Sequence, residues 1–256
     1  PESVSDPGKY YRNNVLGSLN LIECCEESGV GLFVFSSSAA VYGNPATIPV
    51  HEETPTNPIN PYGRTKLITE WTLKDFAERT GSNLPLRYVA LRYFNVAGAS
   101  LDSALGQATP EATHLIKVAC EAACGKRDSV SIFGTDYDTE DGTCIRDYIH
   151  VEDLAAAHLG ALDYLATGGN SAVLNCGYGH GYSVREVLDM VRKVSGNDFS
   201  IRETGRRDGD PVCLISDNRS IRKLLTWAPQ HNDLELICST AFQWERAKQG
   251  PKSRKG

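Results

Sequence analysis

Gly29-Val-Gly-Leu-Phe-Val-Phe-Ser-Ser-Ser-Ala-Ala-Val-Tyr-Gly43, followed by Asn60-Pro-Tyr-Gly-Arg-Thr-Lys66, decides the fold of this 256-residue chain. Leu32 to Phe35 form a short unbroken apolar run, the pattern of a strand buried on both faces. Before it, Tyr11, Val15, Leu19, Ile22 and Cys25 recur at helical spacing over residues 9–29, and Gly29 to Gly31 close that helix. After it, Asn60-Pro61 marks the start of another helix, with Pro61 at its first position and an end near Thr80. Helix, buried strand and helix in succession predict an α/β fold with a largely parallel sheet. The three serines then fall at the carboxyl end of the strand, where open α/β sheets bind ligands.

The alternation continues outward. Leu86-Arg-Tyr-Val-Ala-Leu-Arg92 reads as the next strand, with Tyr93-Phe-Asn-Val-Ala-Gly98 as the loop at its functional end. Shorter strands are expected near 130–133, 144–149 and 172–175, and helices near 111–125, 152–166, 183–195 and 232–247. No internal repeat is evident.

Composition excludes several classes. With 41% hydrophobic and 23% charged residues the chain has the makings of a sizeable core. A formal net charge of -6 and the lack of a basic run within the folded part argue against nucleic acid as a partner. The basic segment 248–256 is expected to be a disordered end. No apolar run is long enough to cross a bilayer and no secretory signal is recognisable, so no membrane partner and a cytoplasmic location are expected. The eight cysteines lack paired C-x-x-C spacing, which argues against a metal site and for reduced core thiols.

Ser38, Tyr62 and Lys66 supply a hydroxyl, a phenol and an ammonium in a chemically useful order. A free tyrosine, with a pKa of about 10, is a poor base at neutral pH and needs a nearby cation to favour its phenolate. Lys66, one helical turn beyond Tyr62, is placed to be that cation. The plain alternatives are a chance exposed pair on a helix for Tyr62 and Lys66, and a strand-end turn for the serines, with Ser36 and Ser37 the better candidates for bonding backbone groups. His150 reads as structural; His51, His158, His180 and His231 carry no usable pattern.

The chain resembles the UDP-glucose 4-epimerases of the extended short-chain dehydrogenase/reductase family from residue 1 to about 247. The resemblance rests on Tyr10-Tyr-Arg-Asn-Asn-Val-Leu-Gly17, Phe35-Ser-Ser-Ser-Ala-Ala-Val-Tyr-Gly43, Pro61-Tyr-Gly-Arg-Thr-Lys66, Leu91-Arg-Tyr-Phe-Asn-Val-Ala-Gly98, the stretch from Ile132 to Val151, and Arg206-Arg-Asp-Gly-Asp210. It implies a partial Rossmann-type doubly wound parallel sheet with a smaller α/β substrate-binding domain. It implies NAD as cofactor and a UDP-hexose as substrate, interconverted at C4 through a transient 4-keto sugar. Tyr62 would be the base, Lys66 would lower its pKa and contact the nicotinamide ribose, and Ser38 would bond the reacting oxygen. Asn13, Ser36, Tyr93 and Phe94 would lie beside the cofactor, the last two equally readable as strand-end packing. Asn95, Thr113, His114, Phe133, Arg146, Arg207 and Asp210 would meet the substrate, with Phe133 against the uracil and the arginines and Asp210 around the diphosphate and ribose. Surface ion pairing is the plain alternative for Arg146 and Arg207.

Three further features of the sequence bear on these expectations. Thr113-His114 stands where many epimerases have Asn-Asn, and Leu214 where some have tyrosine or cysteine, which leaves a UDP-pentose or UDP-N-acetylhexosamine 4-epimerase open. Ala39 and Ala40 stand where sugar-nucleotide dehydratases carry an acidic pair, which disfavours elimination of water. The strand-G-x-G-x-x-G-helix unit that holds a dinucleotide pyrophosphate is not recognisable; Asn175-Cys-Gly-Tyr-Gly-His-Gly181 has the wrong spacing and reads as a substrate-side loop. The expectation is therefore a chain beginning inside its nucleotide domain, with on the order of 80 residues of βαβ structure missing, weak NAD binding alone, and an inactive UDP-sugar-binding remnant as the contrasting possibility. Residues 1–97 are assigned to the NAD-binding domain, with 144–167 packing back on it, and 98–247 mainly to the UDP-sugar domain. The family also implies a homodimer of the full-length form through the helices at 9–29 and 61–80.

Overall fold

The computed structural model describes residues 2–80, 85–207 and 209–248. Helices α1 (Glu2–Ser5), α2 (Pro7–Tyr10) and α3 (Gly17–Glu27) open the chain, with a π-helical turn at Tyr11–Leu16 between the last two. Strand β1 (Leu32–Ser38) leads to α4 (Pro61–Glu78), β2 (Arg87–Tyr93), β3 (Asn95–Ala97) and α5 (Leu115–Ala123). Then come β4 (Ser129–Phe133), β5 (Ile145–Arg146), β6 (Tyr148–His150), α6 (Val151–Ala166), β7 (Ala172–Cys176) and β8 (Tyr182–Ser183). The chain continues through α7 (Val184–Ser195), β9 (Ser200–Thr204), β10 (Cys213–Leu214), α8 (Arg219–Leu224) and α9 (Leu234–Ala247). The basic segment 249–256 lies outside the described residues.

The chain forms two compact units. The first comprises Pro1–Phe94, Ala155–Gly179 and Leu214–Ala228. Its centre is a parallel sheet in the order β1-β2-β7, with Phe35 opposite Ala90 and Leu91 opposite Leu174. Val89, Ala90 and Leu91 are fully buried, as expected of a middle strand covered on both faces. Ile22, Leu73, Leu86 and Tyr88 pack around Phe35, so that the apolar stripes of α3 and α4 cover this part of the sheet. Ala39, Val41, Tyr42, Val50, Leu67 and Phe94 form a second cluster at the carboxyl end of the strands.

The second unit comprises Asn95–Leu154, His180–Cys213 and Pro229–Gly256. Its strands pair in short ladders, β3 with β6 and β4 with β9 in parallel and β5 with β8 antiparallel. Helices α5, α7 and α9 pack on one another through Ile116, Val187, Leu188, Val191 and Ile237. A Ser183–Glu186 capping box starts α7 and Gly196, at φ 66°, ends it. The buried Glu245 gathers the Lys117 and Lys126 ammonium groups.

Several expected elements are altered locally. The helix expected over residues 9–29 is broken into pieces by the π-helical turn, which widens the backbone at Tyr11–Leu16. The helix expected at 111–125 starts at Leu115, because Glu111 takes a positive φ of 51° and His114 an extended ψ of 130°. The strand expected at 144–149 is two strands separated by Asp147, whose carbonyl accepts from the Asn95 amide. Strand β9 and helix α8 have no counterpart among the expected elements: β9 is polar and mostly exposed, and α8 spans only six residues. Leu73 is wholly buried, so Leu73→Ala should cost about 2–5 kcal/mol, read as a lower denaturant midpoint at unchanged slope; a change under about 0.5 kcal/mol would contradict this packing.

Candidate active site

Helix α4 begins where the sequence places it. Asn60 is the N-cap, its side-chain oxygen accepting from the Gly63 amide at 2.9 Å, and Pro61 supplies a first position that needs no N–H. Tyr62 and Lys66 are therefore one turn apart on the first two turns. Only glycine fits at position 63, since a Cβ there would sit 2.5 Å from the Ala40 carbonyl oxygen and 2.9 Å from Pro58 Cβ. That close approach lays the start of α4 on the Ser38–Ala40 turn, which places Ser38 near enough to the Tyr62 hydroxyl to favour its phenolate.

The serines divide their work differently from the sequence expectation. Ser38 bonds a backbone group, accepting from the Ala40 amide at 3.2 Å. Ser36 and Ser37 bond side chains: Ser36 Oγ lies 2.9 Å from His158 Nε2, while Ser37 Oγ donates to Glu70 at 2.5 Å. The neighbouring elements give the hydroxyls these partners, His158 of α6 facing Ser36 and Glu70 of α4 facing Ser37. Lys66 Nζ donates to the Ser36 carbonyl at 2.9 Å. Ser36, Ser38, Tyr62, Lys66 and Tyr93 thus converge at the carboxyl ends of β1 and β2.

The electrostatics bear on a second expectation. Burial pushes the Tyr62 phenol above its ordinary value, and the nearby Ser38 only partly opposes it. Burial also pulls the Lys66 ammonium below its ordinary value. Lys66 Nζ stands 5.8 Å from the Tyr62 ring centroid and donates instead to the Ser36 carbonyl, so desolvation and not the lysine sets the phenol in the ligand-free protein. A buried phenol beside a destabilised ammonium is a pair that additional charge in the site can readily shift.

His158 is the member that sequence reasoning missed. It lies 122 positions from Ser36 and meets it across the fold; no local pattern signals that contact. Asn13 is exposed on the π-helical turn and donates to Asn14, which itself reaches Thr65 of α4. Phe94 is buried in the cluster with Val41, Tyr42 and Leu67, in keeping with the packing alternative.

The second unit carries its own polar group. Arg207 donates to both oxygens of Asp210 at 2.9 Å each, and its guanidinium lies 5.2 Å from the centroid of Phe133, which is 41% exposed. Arg146 stands 3.9 Å from the same carboxylate and is largely buried. Both arginines are ion-paired with Asp210, so the ion-pair alternative accurately describes the protein, but the group includes an exposed aromatic face and guanidinium N–H groups suited to an anion. Asn95, Thr113 and His114 are exposed in this unit and are not drawn into the Arg146–Arg207–Asp210 group.

Among the described residues, His150, Glu152 and His231 bring potential metal ligands within 4.8 Å of one another. His150 Nδ1 accepts from the Glu152 amide at 3.2 Å and Nε2 lies 3.3 Å from Thr240 Oγ1. Both ring nitrogens are thus engaged in protein contacts at the start of α6, which makes His150 a buried helix-capping group in agreement with its structural reading.

A parallel sheet with a serine, tyrosine and lysine at its carboxyl end defines a class. Residues 1–177 match the NAD dependent epimerase/dehydratase family, and the chain belongs to that family. It is 54% identical over 247 residues to the UDP-glucose 4-epimerase of Azospirillum brasilense, covering 96% of this chain and 70% of that one. It is 48% identical over 250 residues to the UDP-glucose 4-epimerase of Rhizobium meliloti (strain 1021), covering 97% and 75%. The UDP-glucose 4-epimerase from Brucella ovis in complex with NAD superposes with a TM-score of 0.90 at 45% identity, covering 94% of this chain and 73% of that one.

The residues present suit a nicotinamide nucleotide. The Ser36 carbonyl takes one of the three N–H groups of Lys66, leaving donors for a ribose hydroxyl. The Tyr62 hydroxyl stands beside them at the strand ends, where such folds bind dinucleotides. Gly63→Ala should lower kcat by about 10²-fold through displacement of Tyr62, with a steady-state rate equal to the parent's counting against the close approach. In the ligand-free protein the Tyr62 phenol should ionise above about pH 10, measured as the ultraviolet difference between the parent and Tyr62→Phe on alkaline titration. Because the folded pKa is raised, its contribution to stability is present below that pH and lost as pH rises through the folded value; ionisation below pH 10 would refute the burial argument.

Proposed function

We propose that this protein interconverts UDP-glucose and UDP-galactose by reversible epimerisation at C4, using residues at the carboxyl end of its parallel sheet. The observation that carries the reading is the convergence of Ser38, Tyr62 and Lys66 on one strand end in a chain 54% identical to a UDP-glucose 4-epimerase.

NAD, when bound, supplies a cationic ring that accepts the C4 hydrogen as hydride and later returns it. Tyr62 accepts the 4-hydroxyl proton and gives it back at the end of the cycle, so the reaction is proton-neutral. Ser38 holds the reacting oxygen against the phenol and fixes which lone pair faces it. Lys66 contributes positive charge near the phenolate and orients the ribose; its desolvated state strengthens that interaction relative to water. Ser36, Tyr93 and Phe94 border the nicotinamide side, and Asn13 is assigned there by motif alone. Arg146 and Arg207 are assigned to the diphosphate, Phe133 to the uracil face, Asp210 to the ribose and to orienting Arg207, and Asn95, Thr113 and His114 to the sugar end. In this reading the first unit is the nucleotide-binding part and the second the UDP-sugar part.

Among the described residues no helix is long and apolar enough to cross a membrane. A cytoplasmic location is proposed from the free thiols, among them the buried Cys120, Cys144, Cys176 and Cys238, which suit a reducing compartment. A homodimer through α3, α4 and the adjoining turn is supported by large apolar side chains left at the surface: Leu16, Leu21 and Trp71 are 52%, 53% and 56% exposed. Leu21→Glu with Trp71→Glu should convert a sedimenting dimer to monomer; an unchanged sedimentation coefficient would exclude this face.

The decisive assay is conversion of UDP-glucose to UDP-galactose with nicotinamide bound. Tyr62→Phe should lower the rate by about 10²–10⁴-fold while the protein still binds UDP. Full activity in that variant would remove Tyr62 as the base; absence of conversion by the parent, with UDP bound, would redirect the reading to another sugar nucleotide.

A further inference from the structure

Ser37, Arg92 and Asn175 stand in register across the three parallel strands, Ser37 opposite Arg92 and Arg92 opposite Asn175. All three are buried, and so are Glu70 of α4 and Tyr42. One Glu70 oxygen accepts from Ser37 Oγ at 2.5 Å and from Arg92 Nε at 2.9 Å, while the other accepts from Arg92 Nη2 at 2.6 Å. Arg92 Nη1 donates to the Tyr42 hydroxyl at 3.0 Å and the Glu52 carbonyl at 3.2 Å, and Tyr42 donates to Asn175 at 2.7 Å. Asn175 in turn donates to the Val50 carbonyl at 3.0 Å. A single carboxylate therefore joins the catalytic helix to a polar row running through β1, β2 and β7.

The location of that carboxylate is specific. Tyr62, Lys66 and Glu70 succeed one another at intervals of four residues along α4, one stripe of the helix. On β1, Ser37 lies between Ser36, whose carbonyl holds Lys66, and Ser38, which lies beside Tyr62 and favours its phenolate. Glu70 thus bonds the strand between the two points where the reactive side chains touch it. Burial works against the Arg92 charge, yet Glu70 holds it more firmly protonated than usual. Replacing such a pair by apolar residues of similar volume is often neutral or stabilising, so two buried charges are a poor way to gain stability and a good way to fix a bond direction.

We infer that Glu70, bonded to Ser37 and Arg92, is a positioning residue of the proposed epimerisation: it sets the height of α4 along β1 and thereby the placement of Tyr62 and Lys66 against Ser36 and Ser38. It touches neither substrate nor cofactor. The inference rests on the proposed reaction for its consequence in rate, while its geometric content is independent of which sugar turns over. Ser37 is the strand-side anchor, Arg92 the part that holds the carboxylate in plane, and the Tyr42–Asn175 arm keeps Arg92 from turning.

The test uses the full protein carrying Glu70→Gln, Ser37→Ala or the paired change Glu70→Leu with Arg92→Met. Three quantities are read: amide exchange over residues 61–70, the alkaline titration of Tyr62 taken as a difference from Tyr62→Phe, and kcat with KM. Glu70→Gln puts an N–H donor among donors and should lower kcat by about 10–100-fold with KM within about threefold. It should also quicken exchange over the first turns of α4 and displace the Tyr62 titration. The paired apolar change, made together with Ser37→Ala so that no buried hydroxyl loses its acceptor, should melt within a few degrees of the parent and still show the reduced kcat, an outcome a purely structural role does not produce. If Glu70→Gln fails to fold, Ser37→Ala, which leaves the ion pair intact, carries the test, with a fall in kcat of about 3–10-fold expected. Parent-like kcat, exchange and Tyr62 titration in a folded variant would overturn the inference. Failure of the parent to interconvert the two sugars would instead overturn the proposed reaction, and exchange and titration would still decide the positioning.

Discussion

The buried bidentate contact between Arg92 and Glu70 is the interaction on which the working end of the first unit depends. Removing one member of a buried pair of this kind costs about 3–5 kcal/mol, because the other charge is left unmatched, and a domain is stabilised by only about 5–15 kcal/mol in all. The pair is tolerated because it is fully supplied: Ser37, Tyr42 and the Glu52 carbonyl take the remaining bonds, and each is anchored at a fixed point of the sheet or of the loop after it. Parallel register does the rest. Strands that are aligned residue for residue place Ser37, Arg92 and Asn175 side by side, and put Ser38 beside Tyr93 in the next row.

The chemistry of the site has its origin in the same burial. Desolvation raises the Tyr62 phenol and lowers the Lys66 ammonium, so both charged forms are disfavoured in the ligand-free protein. This makes the site responsive to charge brought by a bound nucleotide, which a solvent-exposed pair would screen. The Arg146–Arg207–Asp210 group in the second unit is built on the opposite principle. Its arginines are always charged and already paired, and Phe133 presents an exposed ring beside them.

Much of this is legible in the residues. The apolar run at Leu32, the Asn60-Pro61 cap and the one-turn spacing of Tyr62 and Lys66 are local signals, and the strand and helix they predict are present. The close approach at Gly63 is visible in sequence only as a glycine between Tyr62 and Arg64; the group it approaches, the Ala40 carbonyl, lies 23 positions back. The roles of the serines are not legible, because sequence shows three equivalent hydroxyls, whereas the pleat and the neighbouring elements give each a different partner. His158 and Glu70 escape notice for the same reason, since a histidine or glutamate on a helix looks like surface until the element packed against it is known. Spacing along a helix does not fix where Lys66 Nζ points, and here it is drawn to the Ser36 carbonyl.

The sequence by itself determined the α/β class, the order of the main elements, the family and the candidate reacting side chains, because hydrophobic period, caps and short motifs are properties of neighbouring residues. The tertiary structure alone decided which serine meets which partner, the raised phenol of Tyr62, and the row of buried polar groups joined through Glu70. Those depend on burial and on contacts between residues tens to more than a hundred positions apart, and neither desolvation nor a long-range hydrogen bond is written in any local pattern.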